Sequence, residues 1–378
     1  MRQRRLAVLL AALAASSFFT LAVVPGPVPR LASVPSFEPA SPPLPGVLAP
    51  AFAISYDGRE LAGRNAAELR PTASTIKLLT ALAVLDEGLP LTRRIVVTRV
   101  QSLAAQAGQS LGHGELPLVA GETLTVHDLL VAMLLPSADD AADLLAEASP
   151  GGRAGLLSRM KSLAGRLGLG LPPLGDPSGL SPLDRLAPLG ELRLGSAALG
   201  NPRLAAIVRE PLATLSQGEE VRNLNRLLGS YPGAVGVKTG ATAPAGYVLL
   251  FAARRAGTAI GVVMGEPSDA ARFRDARRLL DWAFSWARAH TVPAGTQAGR
   301  IVWPDGSVQD LRTAAPLFVP TGGKPAVQIV AAARLSRGGT VGYAELGHRR
   351  VALTAPPAPL RVRLWALFAA WPSHLMGP

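Results

Sequence analysis

The chain of 378 residues contains no cysteine, which excludes disulfide bonds, thiol nucleophiles and cysteine-ligated zinc or iron–sulfur centres. Its five histidines form no HExxH or comparable metal-ligand pattern. A GxxxxGK[ST] phosphate-binding loop is also missing. These absences exclude most familiar metal-dependent and nucleotide-dependent enzymes, so no metal and no cofactor is expected.

Charged side chains are sparse, at 17% of residues, and the net charge is +12. The basic residues are scattered without a run of five, and aromatic residues make up only 5%. A nucleic-acid-binding protein normally clusters its positive charge and interleaves stacking side chains. We therefore expect no nucleic-acid partner, while an anionic lipid surface or an acidic wall polymer stays possible.

Both ends of the chain carry patterns of membrane association. Basic residues precede an uncharged stretch at 6–24, which predicts an export signal or a membrane anchor over 1–25, cleaved or not. The proline-rich stretch at 26–46 predicts an extended linker. At 356–378 a proline-rich stretch precedes a short amphipathic segment with Trp and Arg, which predicts a membrane-associating tail. A helix packed on the protein's own surface is the alternative for that tail.

The part between these ends mixes helical and strand-like patterns without a regular strand–helix–strand alternation. Helices are predicted at 74–87, 126–135, 139–148 and 269–290, and strands at 235–239, 247–253 and 258–264. This mixture favours an α+β fold with an antiparallel sheet over 47–292. Short strand-like runs separated by turn signals then predict a small β domain at 293–355.

Lysine is rare, because only four of the 38 basic residues are lysine. An amine can lose its proton, whereas the guanidinium of Arg cannot, so the retained lysines are candidates for chemistry. Lys77 follows Ser74 by three residues at the start of a predicted helix. That spacing puts both side chains on one face, where a neutral amine can take the Ser74 proton. The alternative is an N-capping serine beside a solvated lysine.

Two further segments carry residues with possible roles. Lys238, Thr239 and Gly240 end a strand-like run, where an edge strand could hold an extended peptide with a carboxylate end. A plain turn after an edge strand is the alternative. Ser137 joins two predicted helices, where its hydroxyl could relay a proton or simply cap the helix that follows.

In this order, S-x-x-K at 74, S-x-[N/D] at 137 and K-T-G at 238 resemble the constellation of penicillin-interacting serine enzymes. Segments 71–77, 121–130, 223–228, 231–240 and 245–247 are similar to the low-molecular-mass D-alanyl-D-alanine carboxypeptidases. The resemblance covers about 47–290. It implies an α+β fold of the serine β-lactamase/DD-peptidase type, an antiparallel sheet flanked by helices, followed by a small β domain.

The resemblance also implies catalytic roles. Ser74 would be the nucleophile that forms an acyl ester, and Lys77 its general base. Ser137 would pass the proton to the leaving D-alanine. The backbone N–H groups of Ser74 and Ala241 would form the oxyanion hole.

For substrate binding, the resemblance implies Lys238, Thr239 and Gly240, together with an Arg that precedes a Phe and grips the terminal carboxylate. Arg272 matches that place, and Arg274 is a less suitable candidate. A guanidinium fork suits a carboxylate. A solvated helix residue is the alternative for Arg272.

One position departs from the family pattern, because Asp139 stands where the family normally has Asn. Asn can donate to a substrate carbonyl, whereas an ionised Asp only accepts. A carboxylate beside Lys77 would also favour the charged amine, which is no base. We expect impaired activity or an optimum at higher pH, unless Asp140 or a shifted backbone compensates.

The expected function is removal of the terminal D-alanine from peptidoglycan pentapeptides, with β-lactams as covalent inhibitors, on the outer face of a bacterial cytoplasmic membrane. A class A β-lactamase would need a Glu that directs water shortly after the second motif, and Glu210 comes too late. A catalytically impaired penicillin-binding or cell-wall-binding homologue, which Asp139 favours, and a DD-endopeptidase with a different groove stay open.

Overall fold

The computed structural model describes residues 30–33, 39–99, 118–170, 174–303, 305–319, 326–329, 339–346, 349–357 and 359–360. Backbone contacts divide the chain into two units. The large unit is Ser41–Arg288, and the small unit combines the described parts of Met1–Ala40 and Ala289–Pro378. The predicted segments at 1–25 and 361–378 lie outside the described residues.

The strands, in chain order, are β1 (Arg30–Ser33), β2 (Ala51–Tyr56), β3 (Arg59–Arg64), β4 (Arg70–Pro71), β5 (Arg94–Val96), β6 (Thr123–Thr125), β7 (Arg185–Leu186), β8 (Leu212–Thr214), β9 (Glu220–Arg222), β10 (Ala234–Thr242), β11 (Gly246–Arg254), β12 (Thr258–Glu266), β13 (Thr291–Val292), β14 (Gln297–Val302), β15 (Val308–Thr313), β16 (Leu317–Phe318), β17 (Ala326–Ile329), β18 (Gly339–Leu346) and β19 (Arg349–Ala355). A 3-10 turn (Ala73–Ile76) precedes the helices, which are α1 (Lys77–Asp86), α2 (Val126–Leu134), α3 (Asp139–Ala148), α4 (Gly152–Arg166), α5 (Pro188–Gly200), α6 (Pro202–Val208) and α7 (Asp269–Ala289).

The large unit is built on a five-stranded antiparallel sheet with the order β10-β11-β12-β2-β3. Most residues of β11 are buried, which requires cover on both faces of the sheet. Helix α5 packs against β2, β11 and β12. On α7, Phe284 meets Tyr56 of β2 edge-on, with ring centroids 6.0 Å apart. This sheet flanked by helices confirms the predicted α+β class, and it leaves β10 at one edge.

The predicted helices and strands of this unit correspond to observed elements, with one informative difference. Helix α3 has the predicted bounds, and α2 and α7 each end one residue early. The stretch predicted as one helix at 74–87 begins as a 3-10 turn at Ala73–Ile76 and becomes an α-helix at Lys77. Tight 3-10 turns are frequent at the N-termini of α-helices, and here the turn starts at Ala73, whose φ of +48° lies in the left-handed region.

The small unit has a six-stranded antiparallel sheet with the order β1-β14-β15-β19-β18-β17. Its core includes Ile301, Trp303, Leu311 and Leu353. Strand β1 pairs with β14, although the sequence predicts an extended linker there. That part of the linker prediction was wrong, because an edge strand needs backbone pairing rather than a strong apolar pattern.

The boundary predicted at 292 falls after Arg288 in the structure. The difference arises because β13 already pairs with β16 of the small unit. Within the described ranges, no helix is long and apolar enough to cross a membrane.

Candidate active site

Hydrogen bonds fix the N-terminal side of the turn that carries Ser74. Strand β4 pairs with β7, and the backbone N–H and the hydroxyl of Thr72 both donate to the carbonyl oxygen of Asp184, at 3.0 and 3.1 Å. The strained Ala73 follows. Ser74 is partly exposed, whereas Ala73 and Thr75 on either side of it are buried. The turn therefore presents one hydroxyl to solvent from an otherwise buried segment.

Lys77, the first residue of α1, is fully buried, and its Nζ lies among three acceptors. Nζ is 2.8 Å from Oγ of Ser74 and 2.9 Å from the carbonyl oxygen of Ser178. It also forms an ion pair with Oδ1 of Asp139. The sequence prediction that Asp139 lies beside Lys77 is thereby confirmed.

These three contacts direct the amine at Ser74. The carbonyl of Ser178 and an ionised Asp139 can only accept, so each takes an N–H of Lys77 in either protonation state. An ammonium donates its third N–H to Ser74. A neutral amine instead turns its lone pair toward the Ser74 hydroxyl and accepts its proton. The site can therefore exchange a proton between Lys77 and Ser74 without rearrangement.

The segment between α4 and α5 forms the wall behind this pair. A Cβ added to Gly179 would lie 2.1 Å from the carbonyl oxygen of Ala73, so only glycine fits there. Asp176 holds the segment by accepting from the backbone N–H groups of Ser178 and Gly179, at 2.7 and 2.8 Å. Burial alone would raise the pKa of Asp176, but its hydrogen bonds bring that pKa below the ordinary value.

The second motif lies in the turn between α2 and α3. Ser137 is buried and has a φ of +72°, a left-handed backbone that is rare for residues other than glycine. Ala138 is the N-cap of α3, so the capping interpretation of Ser137 was wrong. Asp140, the candidate for compensation, has Oδ1 2.8 Å from the N–H of Ala141. The structure brings Asp139 into contact with Lys77, while the relay role of Ser137 stays a prediction.

The third motif lies on β10, the edge strand against which the 3-10 turn packs. A Cβ on Gly240 would lie 3.0 Å from the backbone nitrogen of Ser74, so this glycine allows the strand and the turn to approach closely. Lys238 and Thr239 are buried, and Nζ of Lys238 donates to the carbonyl oxygen of Thr239 at 3.0 Å. Ala241 is the next residue of the strand and is partly exposed.

Lys238 is electrostatically unfavourable in its charged form. Burial lowers its pKa well below 10.5, and the positive charges of Lys77 and Arg272 lower it further. The carboxylate of Asp139 offsets this only in part. The site therefore has an excess of positive charge that an anionic ligand would balance.

Arg272, on α7, reaches β10 from the other side of Gly240. One guanidinium nitrogen donates to the carbonyl oxygens of Gly240 and Val248, at 2.9 and 3.1 Å, and another pairs with Asp269. The alternative of a solvated helix residue was wrong, because Arg272 is only 6% exposed. Its Nε has no hydrogen-bond partner within the described part of the chain.

Three residues of the site's surroundings were not predicted from the sequence: Ser178, Asp184 and Glu191. The first two act through backbone carbonyls, for which a sequence carries no side-chain signal. Glu191 has its Oε1 2.6 Å from Oγ1 of Thr75, and it stands in the first turn of α5, two residues before Arg193, where an acid carries no special signal.

A partly exposed serine in contact with a buried lysine, beside an edge strand that carries a second lysine, is the arrangement of a serine enzyme that works through an acyl intermediate. Residues 51–268 match the protein family described as D-alanyl-D-alanine carboxypeptidase. A D-alanyl-D-alanine carboxypeptidase of a Streptomyces species is 32% identical over 248 residues, which are 60% of this chain and 84% of the relative. One from Mycobacterium tuberculosis is 34% identical over 246 residues, with 60% and 79% covered.

Among solved structures, that of a Streptomyces DD-transpeptidase matches with a TM-score of 0.58 and 29% identity, covering 64% of this chain and 99% of that one. Because the family match spans more than half of the sequence, the chain belongs to the D-alanyl-D-alanine carboxypeptidase family and is a hydrolase of the peptidase class.

Proposed function

We propose that this protein removes the terminal D-alanine from peptidoglycan stems that end in D-Ala-D-Ala, through an acyl ester on Ser74. The observation that carries the proposal is the 2.8 Å contact between Oγ of Ser74 and the buried Nζ of Lys77. A serine hydroxyl is a weak nucleophile until a base takes its proton. Lys77 is the base in reach of that hydroxyl.

In the first step, Oγ of Ser74 bonds to the carbonyl carbon of the penultimate D-alanine. The proton of Ser74 passes to Lys77 and then, through Ser137, to the nitrogen of the leaving D-alanine as the peptide bond breaks. The backbone N–H groups of Ser74 and Ala241 stabilise the oxyanion. Water then attacks the ester carbonyl, Lys77 takes its proton, and Ser74 regains its hydroxyl as the shortened peptide leaves.

The substrate's terminal carboxylate fits the excess of positive charge on β10. Lys238 and Thr239 hold the end of the peptide, and Gly240 leaves the strand open to an extended chain. A bound carboxylate offsets the mutual repulsion of Lys238, Lys77 and Arg272. Arg272 acts by fixing the carbonyl of Gly240, and so it supports the strand that holds this carboxylate.

Asp139 makes this member of the family a slower enzyme than one with Asn at this place. Its carboxylate pairs with Nζ of Lys77, the group that takes the proton of Ser74. An ionised Asp also accepts only, whereas the amide of Asn can donate to a carbonyl of the substrate.

The protein acts outside the cytoplasm, on the cell wall, attached to the outer face of the membrane by the predicted segments at 1–25 and 356–378. β-Lactams are its covalent inhibitors, because their strained amide is attacked by the same hydroxyl. An endopeptidase that cuts cross-links would use the same residues with a different groove.

The intact mass of the full chain after incubation with a penicillin tests the proposal. A covalent adduct on the wild type and none on Ser74→Ala would support Ser74 as the activated nucleophile. Release of D-alanine from a peptide ending in D-Ala-D-Ala is the matching activity assay. A folded wild type without an adduct, even at raised pH, would point instead to a wall-binding homologue.

A further inference from the structure

Glu191, in the first turn of α5, is a fully buried carboxyl group that the proposed reaction does not use. Its Oε1 lies 2.6 Å from Oγ1 of Thr75, the residue that follows Ser74. Its Oε2 has no hydrogen-bond partner among the residues that the structure describes. A buried carboxylate with an unpartnered oxygen is costly, and the neutral acid is much less so.

The hydroxyl of Thr75 has one proton and two close oxygen neighbours. Besides Glu191, the carbonyl oxygen of Thr72 lies 2.8 Å from Oγ1. A carbonyl can only accept. Both contacts are therefore satisfied when Thr75 donates to Thr72 and a protonated Glu191 donates to Thr75. An ionised Glu191 would leave one of the two oxygen–oxygen contacts without a proton.

These two bonds brace the turn that presents Ser74. The turn contains Ala73 at a φ of +48°, and such backbone strain persists only where the surroundings impose it. The carbonyl of Asp184 holds Thr72 from one side. The chain from Glu191 through Thr75 to Thr72 holds the turn from the side of α5.

We propose that Glu191, as a neutral acid, is a positioning residue that fixes the turn carrying Ser74 through the hydroxyl of Thr75. The inference rests on the proposed role of Ser74 as the nucleophile. Glu191 touches no substrate and transfers no proton to it. It determines the orientation from which Ser74 attacks.

The ionisation of Glu191 makes this role dependent on pH. Burial raises its pKa to about 7, although the hydrogen bond with Thr75 lowers it. Several elements pack against α5, and some of their ionisable side chains are buried or partly buried. These are Tyr56, Lys77, Lys238, Tyr247 and Glu266. In the described part of the chain, none of these five contributes to that pKa. The donor is therefore present at acid pH and is lost as the pH rises through about 7.

The wild type alone cannot isolate this effect, because burial also raises the pKa values of Asp184 and Glu266 to about 7. A comparison of two variants does so. Glu191→Gln keeps the shape and supplies an N–H donor at every pH, whereas Glu191→Leu removes the donor. Glu210→Gln, on an exposed acid, is the matched control.

The measurement is the single-turnover rate of acylation by a penicillin on the full chain, between about pH 6 and 9, with the melting temperature of each variant. We expect Glu191→Leu to acylate about tenfold more slowly, the factor that corresponds to one hydrogen bond of ~1.4 kcal/mol. Its penicillin affinity should stay unchanged. Glu191→Gln should match the wild type at pH 6 and exceed it above pH 8.

The proposal would be overturned if Glu191→Leu had the wild-type acylation rate and an unchanged melting temperature. It would also be overturned if Glu191→Gln were acylated as slowly as Glu191→Leu. A wild type that is not acylated at all would mean that the proposed function fails, a result distinct from either. If Glu191→Leu does not fold, the acylation rates of Thr75→Val and Thr75→Ser are compared instead. Val lacks the hydroxyl that accepts from Glu191, whereas Ser keeps it. Equal rates for that pair would also overturn the proposal.

Discussion

Two buried lysines belong to this site, and their surroundings differ. Lys77 has three oxygen acceptors, one of them the carboxylate of Asp139. Lys238 donates to the carbonyl of Thr239, and the charges that act on it are two cations against one anion. The lysine on α1 therefore has a counter-ion, whereas the positive charge of the lysine on β10 is only partly compensated.

The difference suits the two lysines to different roles, which are proton transfer for Lys77 and anion binding for Lys238. A lysine with its own counter-ion and a hydroxyl in reach can exchange a proton inside the resting protein. A lysine buried with an excess of positive charge gains most when an anion arrives, which suits the binding of a carboxylate. Breaking either arrangement by substitution should therefore have different consequences.

The largest expected effect comes from Lys77→Arg. Arg keeps the positive charge but cannot give up its proton, so acylation by a penicillin should fall by about a thousandfold. Single-turnover acylation rates measure this. Lys161→Arg, on an exposed lysine of α4, is the control and should acylate like the wild type. A Lys77→Arg variant within tenfold of the wild type would contradict the assignment of Lys77 as base.

The next largest expected effect is on stability, where substitution of the two lysines should change the free energy of unfolding in opposite directions. Lys77→Met leaves the carboxylate of Asp139 without its partner and should lower the free energy of unfolding by about 3 kcal/mol. Lys238→Met removes a poorly compensated charge and should raise it, by on the order of 1 kcal/mol. Denaturant titrations at neutral pH measure both. Equal losses in the two variants would remove the distinction between the sites.

The same comparison predicts the sign of a pH dependence. Because the pKa of Lys238 is lowered on folding, unfolding takes up a proton at any pH between the lowered value and 10.5. The free energy of unfolding of the wild type should therefore rise with pH in that window. Lys238→Met should lack this rise, so the difference between the two proteins should shrink as the pH increases.

Recognition of the substrate's end should depend on Lys238. We expect Lys238→Gln to lower kcat/KM by about 10- to 100-fold for a peptide with a free terminal carboxylate, since a buried charge-assisted bond is lost. The same peptide with an amidated end should be a poor substrate of both proteins, with little difference between them. A similar loss on both peptides would show that Lys238 does not read the carboxylate.

The smallest expected effect is that of Asp139→Asn. The amide no longer pairs as an anion with Nζ of Lys77 and can donate to a carbonyl of the substrate, so single-turnover acylation at neutral pH should become about tenfold faster. Asp86→Asn, on an exposed acid of α1 that pairs with Arg166, is the control. Equal acylation rates for Asp139→Asn and the wild type would mean that the ion pair does not limit the reaction.

Much of the site was predictable because its residues lie in short, ordered motifs. The i, i+3 spacing of Ser74 and Lys77 needs only one turn of helix, and the structure has their polar atoms in contact. The α+β class followed from the absence of a strand–helix–strand alternation. The departure at Asp139 was visible in the sequence, and the structure pairs its carboxylate with Lys77, while the effect on activity stays a prediction.

The remaining features depend on contacts between segments far apart in the chain. Asp184 lies more than a hundred residues from Thr72, and it contributes a backbone carbonyl that any residue could supply. Strand β1 pairs with β14 in the second half of the chain, and its proline-rich surroundings carried no strand pattern. The left-handed backbone of Ala73 is not the conformation that alanine prefers, and Thr72 before it is held by the carbonyl of Asp184.

The sequence by itself determined which reactive groups are present, and it set the i, i+3 spacing that puts the Ser74 hydroxyl and the Lys77 amine on one face of a helical turn. It also determined the order of the motifs along the chain. Only the tertiary structure decided which lysine has a counter-ion and which carboxyl is neutral. Burial and pairing set those states, and both depend on segments that folding brings together from distant parts of the chain.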